Sequence, residues 1–405
     1  MSMTLRTRRS VLYRGLVLLG LVSLLALPAS ATCGVGNQPG STLLFPYFEV
    51  DLTSDSGLTA LISLNNESNS STLTRVVVWT NWAIPVLAFD VYLSPRDVQT
   101  MNVRDLLNGI LPSTGAGADL SGFSGCVEVP PTYATPAISA QSAQQLRAYL
   151  SGVPGPTDAQ CAGEPLGDNV ARGFITADTI RTCHQIGLAG AGVNAANTPK
   201  NANYFTDTAL VKNALWGDLL FVDPDGNSAQ GVEAISLLGD DALFVGPNAN
   251  TFYGRFHSFD GRDKRSPLPT TFTSRFLNGA IFDGGTDLIV FRDNRSAAIA
   301  KTACNAHPAW YPLLADFITA RDEDAGLALS MDDSSVFGLA TQRVPVSSIG
   351  GGPLAQFGRI QLGLHYPSGT PAGAWVIPVM TASGRFSVDF NASPLYSTCG
   401  LAPTP

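Results

Sequence analysis

Arg359-Ile360-Gln361-Leu362-Gly363-Leu364-His365-Tyr366 decides the fold class. Ile360, Leu362, Leu364 and Tyr366 take one parity; Arg359, Gln361, Gly363 and His365 take the other. Successive side chains of a strand point to opposite faces, so a two-residue period reads as a strand with one face in a core. On that reading His365 falls on the polar side. Leu87, Phe89, Val91 and Leu93 repeat the pattern against Ala88, Asp90 and Tyr92.

Working outward, Leu58–Leu64, Leu73–Trp82, Val232–Leu238, Thr251–His257, Thr286–Arg292, Ala315–Arg321, Ser335–Arg343, Trp375–Met380 and Arg385–Phe390 also read as strands between Gly, Asn, Asp and Pro clusters. Many short strands with turn signals between them predict an all-β fold, here two immunoglobulin-like β-sandwich domains in tandem. The boundaries are 32–265 and 266–405. The segment Ser258-Phe259-Asp260-Gly261-Arg262-Asp263-Lys264-Arg265-Ser266-Pro267 between them is charged, turn-rich and expected to be solvated. A shift of 228 residues sets Thr42, Phe48, Asp55, Gly57 and Asn66 on Thr270, Phe276, Asp283, Gly285 and Asn294, and Ala60-Leu61-Ile62 on Leu288-Ile289-Val290. Two modules of one origin would give that pattern, and so would the common composition of strand–turn–strand units.

Residues 113–205 differ from the rest. They are rich in Gly, Pro, Ala and Ser, and read as an irregular insertion held by disulfides and containing one short helix. Ser139 caps that helix, Ala140–Leu150, and Leu146, Tyr149 and Leu150 give it an apolar edge. A second capped turn is expected at Asn102–Asn108.

Residues 1–31 predict a cleavable signal peptide. Arg6, Arg8, Arg9 and Arg14 precede an apolar run from Leu16 to Leu27, and Ala29-Ser30-Ala31 offers the small-residue exit. The run is shorter than the about 20 residues a membrane helix needs. Arg8-Arg9 also fits a twin-arginine signal, so the export route stays open. Removing the four leader arginines leaves 20 basic residues against 32 acidic, a net charge of −12. That excludes the phosphate neutralisation on which nucleic-acid binding depends, and adsorption to anionic lipid. No membrane insertion is expected after cleavage.

Six cysteines, Cys33, Cys126, Cys161, Cys183, Cys304 and Cys399, remain in the mature chain. An even number in an oxidising compartment predicts three disulfides, with Cys304–Cys399 the favoured pair because both lie in the last segment.

Catalytic signatures are missing. The chain has no G-x-S-x-G, H-E-x-x-H, Walker loop or G-x-G-x-x-G, and its four histidines, His184, His257, His307 and His365, are widely spaced. No catalytic residue is assigned, and an enzyme is disfavoured. Asp223-Pro224-Asp225-Gly226-Asn227 sets oxygen ligands at alternate positions, as a calcium loop does. Gly226 comes too early for an EF-hand, so a β-turn is the stronger reading, with calcium at Asp223, Asp225 and Asn227 the alternative. No other cofactor is implied. Trp79 and Trp82 should face opposite sides, one in the core and the other, Trp82, open for stacking on a sugar or peptide. Trp310 and Tyr311 are similar candidates; Trp216 and Trp375 read as core.

Several stretches belong together: Leu43-Leu44-Phe45-Pro46-Tyr47-Phe48-Glu49-Val50-Asp51, Trp79-Thr80-Asn81-Trp82, Ala171-Arg172-Gly173-Phe174, Leu215-Trp216-Gly217-Asp218, Phe252-Tyr253-Gly254-Arg255 and Phe282–Val290. With them, most of the mature chain resembles a group of uncharacterised secreted bacterial proteins with no known activity. The resemblance implies a bacterial source and a secreted, periplasmic or cell-surface location, and carries over no site residue. The function expected is that of a non-catalytic envelope or extracellular protein in adhesion, assembly or ligand binding, its partners other envelope or extracellular proteins or glycans. The alternative is a carbohydrate-binding protein or hydrolase using exposed Trp and carboxylates.

Overall fold

The structure is a computed structural model that describes residues 38–188, 197–242, 250–257, 260–279, 281–293, 301–322, 328–349, 356–365, 372–383, 386–389 and 391–397. The expected signal peptide, Cys33 and Cys399 lie outside the described residues. From Gly34 to Pro405 the chain forms one compact unit.

It is mostly β, and among the described residues every ladder is antiparallel. Before residue 240 run β1 (Thr42–Asp51), β2 (Thr59–Asn66), β3 (Thr72–Thr80), β4 (Pro85–Leu93), β5 (Val98–Asn102), β6 (Gln160–Cys161), β7 (Val170–Ile180), β8 (Gly187–Leu188), β9 (Leu215–Trp216), β10 (Asp218–Asp223), β11 (Ser228–Glu233) and β12 (Ile235–Leu237). They build a six-stranded sheet, β12-β1-β7-β3-β4-β8, and a second sheet, β11-β10-β2-β5, with β9 also on β2. After residue 268 run β13 (Pro269–Leu277), β14 (Gly285–Arg292), β15 (Thr302–Ala303), β16 (Leu314–Asp322), β17 (Ala328–Ser334), β18 (Thr341–Pro345), β19 (Phe357–His365), β20 (Ala374–Ala382), β21 (Phe386–Asp389) and β22 (Ser393–Ser397). Their sheets are β17-β16-β19-β13-β22 and β18-β14-β20-β21.

The two halves share one strand order. In the first, β12-β1-β7-β3-β4 and β11-β10-β2-β5 match β22-β13-β19-β16-β17 and β21-β20-β14-β18 of the second. The match reaches single residues. Phe48 pairs with Gly173, and Phe276 with Gly358. In both halves β1 or β13 passes into the opposite sheet at β2 or β14. An immunoglobulin constant domain instead keeps its first two strands in one sheet.

β1, β3 and β4 are buried on both faces, β1 save for its last residue, because their sheet is covered twice. One cover is the β11-β10-β2-β5 sheet. The other includes the second half, where Phe291 of β14 meets Phe174 of β7 at 4.9 Å between ring centres. Pro46 lacks an N–H and sits where the β1–β7 register slips, between Phe45 and Phe48. Its carbonyl accepts the Thr341 hydroxyl of β18 at 2.6 Å, so the bulge becomes part of the seam between halves.

Ser139 caps the helix α2 (Ala140–Leu150) as expected, accepting from Ser142 N at 3.1 Å, with Leu146, Tyr149 and Leu150 buried. Asn102 caps α1 (Val103–Leu107). A third helix, α3, covers Asn203–Asp207.

Five expectations need correction. Residues 113–205 are not all insertion: β7 lies inside them and joins β1 to β3 at the middle of the main sheet. Gly254–His257 is a 3-10 turn rather than strand, and the strand expected at Ser335–Arg343 begins only at Thr341. The segment before residue 266 is not a solvated linker, since Asp263 and Arg265 are fully buried. Cys304 pairs with Cys161, not Cys399, and the second described disulfide is Cys126–Cys183.

The burial of Asp263 and Arg265 has a clear electrostatic cause. Arg265 lies within 3.4 Å of Asp263 and 3.6 Å of Asp178, and Arg265 Nε donates to Thr42 Oγ1 at 2.8 Å. Asp178 also accepts the hydroxyls of Thr42, Tyr204 and Tyr253. Desolvation pushes the Asp178 carboxyl up, opposed by Arg265. A buried charge persists only when paired and hydrogen-bonded, and here residues from 42 to 265 supply the partners.

Candidate functional site

The sequence-predicted aromatics converge. Trp82 follows β3 in a tight turn, and Trp310 and Tyr311 lie in the segment leading to β16. His307 links them: it stacks on Tyr311 at 4.1 Å with an 8° interplanar angle and meets Trp82 edge-on at 6.1 Å. Trp310 is 6.4 Å from Tyr311. Glu164 completes the group, accepting Trp82 Nε1–H at 3.2 Å with His307 Nε2 3.3 Å away. Its backbone N–H donates to Asn81 Oδ1. The neighbouring Cys161–Cys304 disulfide and the short β6–β15 ladder hold the two halves together here.

Trp82 is corrected, however: it is 1 % exposed, like the fully buried Trp79, so its ring offers no open stacking face. The turn Asn81-Trp82 folds the indole inward, where Glu164 takes its N–H. Trp310, Tyr311 and Glu164 are half-buried and His307 is the exposed member. Burial first, and Glu164 second, raise the Tyr311 hydroxyl above its usual range. Glu164 is the only hydrogen-bond partner of the His307 ring among the described residues. A carboxylate thus orients an imidazole, but among the described residues no hydroxyl or thiol is hydrogen-bonded to that ring.

A further seam network lies along β1. Arg343 of β18 reaches Glu49 at 2.8 Å and Asp287 at 2.7 Å, and Tyr47 donates to Glu49 at 3.1 Å. Burial, then the Glu49 charge, raises the Tyr47 hydroxyl far above its usual range.

Asp223–Asn227 is the turn between β10 and β11. Asp223 accepts Gly226 N–H at 3.0 Å, and Asp225 accepts the hydroxyls of Ser54 and Ser56, both at 2.9 Å. These oxygens serve the turn, and among the described residues no three His, Cys, Asp or Glu side chains gather as metal ligands. His184 bonds Thr208 at 3.0 Å, and His365, expected on a polar face, is 5 % exposed at the covered end of β19.

Sequence reasoning missed an open groove on the outer face of the β11-β10-β2-β5 sheet. Its volume is about 540 Å³, and Leu61, Met101, Leu220, Ser63, Asp218 and Asp105 line it. Leu220 is 40 % exposed although it lies mid-strand. Ser63 and Asp218 stand opposite each other, and the serine hydroxyl donates to the carboxylate at 3.0 Å. Trp216, expected in the core, is half-buried and faces Asn65 in register, which puts it on this same side. Gly217 lets the turn between β9 and β10 press on β2: a Cβ there would lie 2.4 Å from the Ser63 carbonyl. The Leu215-Trp216-Gly217-Asp218 stretch therefore shapes the groove. No protein-family model, curated protein or solved structure matches the chain.

Proposed function

We propose that this is an exported, non-catalytic bacterial envelope or extracellular protein that works by binding, with the outer groove of the β11-β10-β2-β5 sheet as its contact surface. The groove carries the reading: it is open, its centre is apolar at Leu61 and Leu220, and Ser63, Asp218 and Asp105 give it a polar rim. Exposed apolar surface rimmed by polar groups is characteristic of an interaction site. The buried acids Asp178 and Asp90, and Glu49 at the seam, are engaged in pairs that hold the fold. Two described disulfides suit an oxidising compartment. Tandem sandwiches of immunoglobulin type are the architecture we favour, with the first two strands of each half divided between sheets. The test is binding of the mature protein to isolated envelope material, compared with Leu61→Asp/Leu220→Asp. Loss of binding with the fold intact is expected; turnover across a hydrolase substrate panel would overturn the reading.

A second reading has its own observation. Tyr311, His307 and Trp310 form a partly exposed aromatic cluster with a carboxylate at hand, which suits a sugar ring. Glycan-array binding lost in Trp310→Ala would support a carbohydrate ligand, and silence across the array would remove it.

A further inference from the structure

Three arginines stand abreast on the second half. Arg359 of β19 lies opposite Arg275 of β13 on one side and Arg321 of β16 on the other. All three are exposed, and none is in an ion pair among the described residues. Strands lie about 4.8 Å apart, so the row puts like charges on adjacent positions, which destabilises a sheet unless an anion covers them.

The matching positions of the first half show what cover does. Gly173 and Gly358 correspond, and the residues that flank them place Phe174 at the site of Arg359 and Trp79 at the site of Arg321. Trp79 and Phe174 are stacked at 5.5 Å; Phe174 lies against Phe291 of the second half, and Trp79 against Phe256. Where another sheet covers the face, aromatics line it; where none of the described residues covers it, arginines do.

The other uncovered sheet face is of opposite sign. The strands β2, β5, β10 and β11 contain no Lys or Arg. Asp218 and Glu233 stand directly opposite each other there, again like beside like, with Asp105 in the same groove. Inside the chain, the seam already sets the four-stranded sheet of one half on the larger sheet of the other, with Arg343 on Glu49. Repeating that relation between molecules lays the β11-β10-β2-β5 sheet of one copy on the β17-β16-β19-β13-β22 sheet of the next. Such an interface is heterologous and leaves a free face at each end.

We propose that this chain associates head to tail, the Arg275–Arg359–Arg321 row of one copy docking on the Asp218, Glu233 and Asp105 face of another. The contact is electrostatic and wet, unlike the aromatic internal seam, and weakens with salt. The proposal rests on the binding reading and names its partner as a second copy.

The experiment is sedimentation velocity on the mature chain over a concentration series at low and high salt. Expected is a series of species extending past the dimer at low salt and collapsing to monomer at high salt. Arg321→Glu/Arg359→Glu and, separately, Asp218→Arg/Glu233→Arg should each be monomeric. An equimolar mixture of the two variants should recover the series, because the intact arginine row of one meets the intact acidic face of the other and the two reversed faces are again opposite in sign. A wild type that stays monomeric at low salt overturns the proposal, as does a closed dimer, or association unchanged in either variant. A monomer that still binds envelope material, through the arginine row or elsewhere, overturns head-to-tail docking while the binding reading stands.

Discussion

Gly173 and Gly358 occupy the same place in two different sheets. A Cβ on either would lie 1.9 Å from a carbonyl oxygen of the next strand, that of Trp79 or of Arg321. The ring of Phe48 or Phe276 closes the other side at 3.0 or 2.8 Å. Backbone on one side and an aromatic on the other leave no room for relaxation. Gly173→Ala and Gly358→Ala should each destabilise by about 1–3 kcal/mol or more, read as a lower denaturant midpoint. If either is neutral, the two positions are not packed alike.

Arg75 and Asp90 make a buried pair at 2.8 Å, with both side chains 1 % exposed. Removing one partner strands the other charge. Arg75→Met should cost about 3–5 kcal/mol, and Arg75→Met/Asp90→Leu should recover part of it. Equal losses in the single and double variants would show that the desolvated charge is not the cause.

The two described disulfides should differ in weight. Cys161–Cys304 spans 143 residues and Cys126–Cys183 spans 57. Loop-closure entropy gives the longer link about 0.8 kcal/mol more stabilisation. Cys161→Ser/Cys304→Ser should therefore melt below Cys126→Ser/Cys183→Ser in a thermal scan. The reverse order would mean that native-state packing around the bridges, not loop length, dominates.

Lys200 is buried with its ammonium 4.3 Å from the centre of the Phe256 ring, and burial pushes its pKa down to about 7. The unfolded chain holds this proton more tightly than the folded one between about pH 7 and 10.4. Stability from this group therefore rises with pH through that window. Lys200→Met should flatten the rise in denaturation series from pH 7 to pH 10 and gain most at the acid end. An unchanged slope would assign the pH dependence to other groups.

Asp225 is tied to Ser54 and Ser56, so chelators should leave the melting temperature unchanged. A fall on chelation, absent in Asp225→Ala, would return calcium to the turn.

Much of the fold was legible because a strand in a half-open sheet must alternate. β19 and β2 show that alternation, and both lie where expected. β7 was missed because its sheet is covered on both faces. Val170–Ile180 then mixes small, polar and apolar residues without a period, inside a Gly- and Pro-rich stretch. Arg265 was misplaced because charge predicts solvent unless partners exist, and its partner Asp178 is far away in the chain. Of the candidate site, Trp82, Trp310 and Tyr311 were found as residue types. Glu164 and the groove carried no local signal, since both are assembled from distant strands.

The Cys161–Cys304 bridge also sets how the molecule responds to pulling. Tension applied at the two ends of the chain passes through the bridge and bypasses the residues between. With a span of 143 residues, about 500 Å of extended chain stays out of reach of the force while the bridge is closed. β7, the middle strand of the main sheet, and the strand β14 that covers it both lie inside that protected span. Under load in an oxidising compartment, the seam between halves can be strained from outside but not unravelled from within.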